Sequence, residues 1–196
     1  MTDAPAPIPL WPAGAAPEGA FRPYLEPWPL AAPDRPRGAV LVLPGGGYGG
    51  RADHEAAPVA QRFRQAGLHA FVVHYRVAPH RHPAPLRDAA RAVRIVRGRA
   101  SEWGVDPSRI AVCGFSAGGH LAASLGVHFE TAGSQTADDL DALSARPDAL
   151  VLGYPVITAG QHTHGGSLRN LLGENPSPEA LRLASVELHV TRSTPP

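Results

Sequence analysis

The run Ala39, Val40, Leu41, Val42, Leu43, wholly apolar and bounded by Gly38 and Pro44, constrains the fold more than any other feature of the chain. It is too short for a buried helix and has none of the alternating polar positions of a half-wet strand. It therefore predicts a strand buried on both faces, the kind found in a parallel sheet covered by helices. A glycine loop follows. Pro58 then suits a first helical turn, Val59, Phe63 and Ala66 mark one helical face, and Gly67 suits a C-terminus.

The same alternation recurs downstream. His69 to Arg76 reads as a second strand, and Leu86, Ala89, Ala90, Val93 and Val96 trace the apolar stripe of a longer helix, with Arg87, Arg91 and Arg94 assigned to its wet side. Asp106-Pro107-Ser108 makes a turn into a third buried strand, Arg109 to Gly114. Ala149 to Tyr154 reads as a fourth strand, after a helix and a polar connection. Strands alternating with helices predict an α/β fold with a mostly parallel sheet and helices on both faces. Residues 1–37 read as a proline-punctuated lead-in, where Tyr24 to Leu30 is expected to add an edge strand, and residues 38–196 as one partial domain.

Composition excludes several classes of function. Lys and Arg number 18 against 17 for Asp and Glu, so no net field draws the chain to nucleic acid or an anionic membrane, and the expected partner is a small molecule. No segment offers roughly 18 continuous apolar residues for a membrane span, and the N-terminus lacks a basic start followed by an apolar run, so the expected location is the cytoplasm. A single cysteine, Cys113, excludes an internal disulfide and a cysteine-based zinc site, and reads as core filler.

The chemistry points to Gly114-Phe115-Ser116-Ala117-Gly118, which fits G-x-S-x-G where the third strand must turn sharply into a helix. A nucleophilic hydroxyl projecting from so tight a turn needs neighbours without side chains, which Gly114 and Gly118 supply. The helix beginning at Ser116 aims free N–H groups and its positive dipole end at the reaction centre, making Ala117 N–H the first candidate donor to an oxyanion.

Pro44-Gly45-Gly46-Gly47-Tyr48-Gly49-Gly50 directly follows the first strand, where Gly46 and Gly47 are candidates for the second donor. A rival reading stays open, since Gly45, Gly47 and Gly50 also satisfy the G-x-G-x-x-G of a dinucleotide-binding turn. Against it, the second strand ends in His74-Tyr75-Arg76 with no acid for a ribose.

Five segments together resemble the bacterial α/β-hydrolase esterases related to hormone-sensitive lipases and to acetyl-xylan and feruloyl esterases. They are LPGGGY from Leu43, VVHYRVAP from Val72, HPAPLRDA from His82, GFSAGGHLA from Gly114 and YPVIT from Tyr154. The resemblance implies hydrolysis of short-chain carboxylic esters, including acetyl groups on sugars, by a serine nucleophile with no cofactor and no metal. It departs from the lipase branch at Pro44, where that branch has histidine. It also implies a triad acid and histidine that follow the YPVIT region, neither of which is found in this chain. The sequence therefore reads as lacking the C-terminal strands and helices of the fold, with impaired turnover and an exposed sheet edge open to self-association. A non-catalytic remnant that keeps the pocket without the base is the alternative.

None of the ten histidines is expected to replace that base. His74 belongs to a strand, His120 lies one turn past Ser116, His80 and His82 occupy a solvated turn, and His189 lies in a tail expected to be disordered. His162 and His164 lack a nearby carboxylate or cysteine for a metal site. Glu174 and Glu187 are expected to be solvated, and Arg76 and Asp88 to pair beneath the glycine loop.

Overall fold

The computed structural model describes residues 6–12, 21–133 and 138–196, so parts of the proline-rich lead-in, residues 1–5 and 13–20, lie outside the described residues. Six strands form one sheet: β1 (Ile8–Pro9), β2 (Tyr24–Trp28), β3 (Arg37–Leu43), β4 (His69–His74), β5 (Val105–Phe115) and β6 (Ala149–Gly153), in the order β1-β2-β4-β3-β5-β6. The pairs β4/β3, β3/β5 and β5/β6 are parallel, whereas β1/β2 and β2/β4 are antiparallel. Tyr24–Trp28 is therefore not the outermost strand, because Ile8 and Pro9 pair beyond it. The Asp106-Pro107-Ser108 turn is built into β5 as an irregularity of register, with Asp106 Oδ1 accepting from Ser108 N at 3.0 Å and from its hydroxyl at 2.7 Å.

The apolar run of β3 feeds two cores. Leu41 and Leu43 pack with Phe71, Val73, Ile110 and Val112 against α2 (Ala84–Gly98) and α4 (Ala117–His128), while Val40 and Val42 pack with Val72, Cys113 and Ala60 on the side of α1 (Ala57–Gln65). Alternate side chains of one strand thus fill opposite faces, which is why no polar residue interrupts the run. Shorter helices are α3 (Ala100–Trp103), α5 (Gly165–Leu172) and α6 (Pro178–Ala184). Among the described residues, no helix is long and apolar enough to cross a membrane.

Helix α2 corrects the expectation of a wet arginine face. Arg91 and Arg94 are buried, because further chain covers the side of α2 turned away from the sheet. Arg91 Nε donates to Leu10 O at 2.9 Å and Nη1 to Asp138 at 2.7 Å, and Arg94 Nε donates to Leu143 O at 3.0 Å. Guanidinium groups tolerate such burial because carbonyls and carboxylates occupy their donors. The Arg76–Asp88 pair forms as expected. Asp88, fully buried, accepts from Arg76 N, Nε and Nη2 at 2.7–2.8 Å and from Trp11 Nε1 at 2.8 Å. Removing one partner of such a pair typically costs about 3–5 kcal/mol.

The C-terminal segment is folded rather than disordered. Val186–His189 forms a 3-10 turn, His189 Nε2 bonds Arg182 O at 3.0 Å, and Leu150 N on the outer edge of β6 donates to Pro196 O at 2.8 Å. His80 and His82 are half-buried rather than solvated, since His82 N donates to Leu171 O at 2.9 Å where α5 packs over them.

Candidate active site

Ser116 stands between β5 and α4 with φ 50° and ψ −116°, a backbone conformation that L-residues rarely hold. The crowding that enforces it is severe. A Cβ on Gly114 would lie 2.1 Å from Gly118 O, and one on Gly118 would lie 2.1 Å from Leu43 O and 2.6 Å from Pro44 O. The turn is braced from outside as well: Ser116 N donates to Gly153 O at 3.0 Å, and Ser116 O accepts from Val156 N at 3.1 Å and His120 N at 3.0 Å. Both glycines predicted from sequence are thus required by backbone contacts, and Ser116 sits on a rigid junction between β3, β5 and β6.

The glycine loop after β3 abuts this junction, since a Cβ on Gly45 would meet Phe115 O at 2.7 Å and Ser116 Cβ at 3.1 Å. Its carbonyls from Pro44 to Gly47 are all engaged. Pro44 O accepts from the Tyr75 hydroxyl at 2.5 Å, Gly45 O from Ala52 N at 2.9 Å, Gly46 O from Gly49 N and Gly50 N at 3.0 and 3.1 Å, and Gly47 O from Asn170 Nδ2 at 2.8 Å. In a trans peptide the C=O and N–H point in opposite directions, so fixing the carbonyls of Gly45 and Gly46 turns the N–H groups of Gly46 and Gly47 the other way. Neither amide donates to a protein acceptor among the described residues, and the same holds for Ala117, the first residue of α4. Gly46 and Gly47 have φ 130° and 62°, which a side chain would strain.

Tyr48 ties the loop to the helix behind Ser116. Also at positive φ and buried, it places its hydroxyl 2.8 Å from His120 Nδ1, while His120 Nε2 lies 2.8 Å from Ala184 O. A carbonyl can only accept, so Nε2 carries the proton and the Tyr48 hydroxyl donates to Nδ1. Burial pushes the His120 pKa below its ordinary value, and His120 is a neutral strut.

Sequence reasoning missed Glu55, which is buried beside the site. Its Oε2 accepts from Gly45 N at 2.6 Å and its Oε1 from the Tyr154 hydroxyl. The carboxylate's hydrogen bond raises the Tyr154 pKa. The available signal was an acidic residue immediately before the small, apolar Ala56-Ala57-Pro58 that opens α1. Tyr154 reads from sequence as a strand end and part of YPVIT without a role at the site, and Asn170 is not singled out.

Glu55 also weakens the dinucleotide reading. It places negative charge on the very loop that would have to receive a pyrophosphate, and α1 begins only at Ala57, well after the glycines.

A cavity of about 400 Å³ opens at Ser116, lined by Tyr154, residues 155–158, His162 and His164. His164 Nδ1 caps α5 by accepting from Ser167 N at 3.2 Å, and His74 bonds Glu26 at 3.0 Å. Among the described residues no histidine nitrogen is hydrogen-bonded to the Ser116 hydroxyl. No group of three or more His, Cys, Asp or Glu side chains among them could hold a metal ion.

A family model described as the alpha/beta hydrolase fold matches residues 40–187, spanning the glycine loop, the serine turn and the cavity rim. The chain belongs to the alpha/beta-hydrolase fold family. It is 42% identical over 167 residues to endo-1,4-beta-xylanase B of Butyrivibrio fibrisolvens, covering 83% of this chain and 26% of that protein. It is 32% identical over 145 residues to an acetylxylan esterase of Xylanibacter ruminicola, covering 72% and 28%. An acetyl ester-xyloside bifunctional hydrolase from Caldicellulosiruptor lactoaceticus has the same alpha/beta-hydrolase architecture, with a TM-score of 0.93 at 42% identity over 100% of this chain and 74% of that one. The chain thus spans about a quarter of the length of those two sequence relatives.

Proposed function

We infer that this alpha/beta-hydrolase chain carries the nucleophile and oxyanion side of a serine carboxylic-ester hydrolase acting on short-chain esters, with acetylated carbohydrate as the favoured substrate class. One observation carries the reading. Ser116 is held at a strained strand-to-helix turn against a glycine loop whose carbonyls from Pro44 to Gly47 are engaged and whose Gly46 and Gly47 amides are not. In the proposed reaction the Ser116 hydroxyl attacks the ester carbonyl, a base removes its proton, and the N–H groups of Gly46, Gly47 and Ala117 take the developing negative charge. The preference for acetylated sugars draws on the relatives named acetylxylan esterase and acetyl ester-xyloside hydrolase.

The 196-residue chain by itself is proposed to turn over slowly, because none of its described histidines holds the Ser116 hydroxyl. Loss of the base typically removes several orders of magnitude in rate. That same observation favours a second reading, a binding module that keeps the pocket without chemistry. Treatment of the purified chain with a fluorophosphonate probe separates the two. Slow modification at Ser116, absent in Ser116→Ala, is expected for the hydrolase reading, because the oxyanion donors remain without the base, and a wholly inert Ser116 favours the module. Brisk turnover of p-nitrophenyl acetate, abolished in the same variant, would overturn the proposal of slow catalysis. The exposed β6 edge supports self-association at high concentration.

A further inference from the structure

Glu55 is a buried carboxylate that the reaction above does not use, set where three separate parts of the site meet. We propose that Glu55, anchored by Tyr154, is the positioning residue that holds the unoccupied amides of the glycine loop against Ser116. The proposal rests on the assignment of Ser116 and the Gly46 and Gly47 amides made above.

The peptide between Pro44 and Gly45 is gripped at both ends, by the Tyr75 hydroxyl at its oxygen and by Glu55 Oε2 at its nitrogen. Once that plane is fixed, the next two peptides have little freedom, because Gly45 O and Gly46 O are held by Ala52, Gly49 and Gly50. Glycyl backbones are otherwise the most mobile in a protein, so three consecutive glycines need such a clamp. Glu55 is itself held in place: its N–H donates to Ala52 O at 3.0 Å, and Ala52 N donates to Gly45 O, which closes a small ring of contacts around the loop.

Tyr154 supplies the opposing anchor. It follows β6 at φ 34°, a strained conformation for a tyrosine, and its hydroxyl donates to Glu55 Oε1 from 99 residues away in sequence. Its ring lies 5.8 Å from that of Phe115, next to Ser116. The bond therefore crosses from the end of β6 to the turn after β3, over the end of β5 where Ser116 stands. Negative charge near a developing oxyanion is unfavourable, so the contribution of Glu55 is geometric, through two accepted hydrogen bonds. Glutamine can accept from Gly45 N and donate to the Tyr154 oxygen, whereas alanine can do neither.

The test compares Glu55→Gln, Glu55→Ala and Tyr154→Phe in the full chain by two readouts, the rate of fluorophosphonate modification at Ser116 and the amide resonances of the glycine loop. Glu55→Gln is expected to stay within about threefold of the parent, and Glu55→Ala to be slower by on the order of tenfold. Tyr154→Phe is expected to fall between them. In Glu55→Ala and Tyr154→Phe the Gly46 and Gly47 amide resonances are expected to shift together with that of Gly45. Displacement confined to Gly45, or Glu55→Ala reacting at the parental rate, overturns the proposal. If Ser116 is not modified in the parent, the hydrolase reading fails, and the resonances alone decide whether Glu55 orders the loop. Should Glu55→Ala not fold, Tyr154→Phe, which removes one hydroxyl from an exposed residue, carries both readouts.

Discussion

Strands β3 and β6 are written in nearly the same alphabet, Ala-Val-Leu-Val-Leu in one and Ala-Leu-Val-Leu-Gly in the other, yet they meet opposite environments. No residue of the β3 run is more than 4% exposed, whereas Val151 and Leu152 in β6 are 47% and 39% exposed. Local preference is the same for both. The difference lies in neighbours: β3 is flanked by β4 and β5 with helices on both faces, while β6 pairs with β5 alone and is hydrogen-bonded to the C-terminal segment through Leu150 N. An apolar run thus specifies a strand, and the elements around it decide whether that strand is core or border.

The sharpest way to break this contrast is at the crowded centre. Gly118→Ala would drive a methyl group into the backbone of Leu43 and Pro44, and is expected to abolish folding or cost more than about 4 kcal/mol, as read by urea denaturation. Ser116→Ala, at the same junction, is expected to leave the urea midpoint in place while removing all probe modification. A smaller difference separates the two strands themselves. Leu41→Ala is expected to cost about 2–5 kcal/mol and Leu152→Ala no more than about 1 kcal/mol. Equal losses would show that the β6 edge is covered in solution.

Lowering pH tests the histidines around α4. Burial depresses the pKa values of His82, His120 and His128, so these groups stay neutral in the fold while the unfolded chain takes up protons near the ordinary value of about 6.5. The stability they contribute is complete above that value and declines as pH falls below it toward the folded-state values. A lower urea midpoint at pH 5.5 than at pH 7.5 is expected, and His120→Gln should flatten part of the drop. The mildest change is Val151→Lys, expected to leave stability within about 0.5 kcal/mol while reducing any self-association seen by sedimentation.

What could be read in the sequence follows the same division. The central strands, α1, α2 and the Ser116 turn were legible because their requirements are local: an apolar run, a helical stripe, and two glycines placed two residues either side of the serine. Arg91 and Arg94 were misplaced because the second covered face of α2 depends on Leu10, Ala132 and residues 138–143, none of them near in sequence. The roles of Glu55, Tyr154 and Asn170 escaped notice for that reason. Their contacts with the loop or with one another span 10, 99 and 123 residues, and no periodicity records such meetings. The helices α5 and α6 are short and are placed by caps from His164 and Ser177 rather than by a long amphipathic stripe.

Cys113, three residues before Ser116, is 1% exposed on the α1 side of the sheet, and burial lifts its thiol pKa to about 11. Alkylating reagents need a thiolate they can touch, so the native molecule hides its sole sulfhydryl on both counts. Alkylation kinetics at this position therefore act as a built-in clock for how often helix α1 lifts from the sheet, readable by mass alone and independent of any substrate.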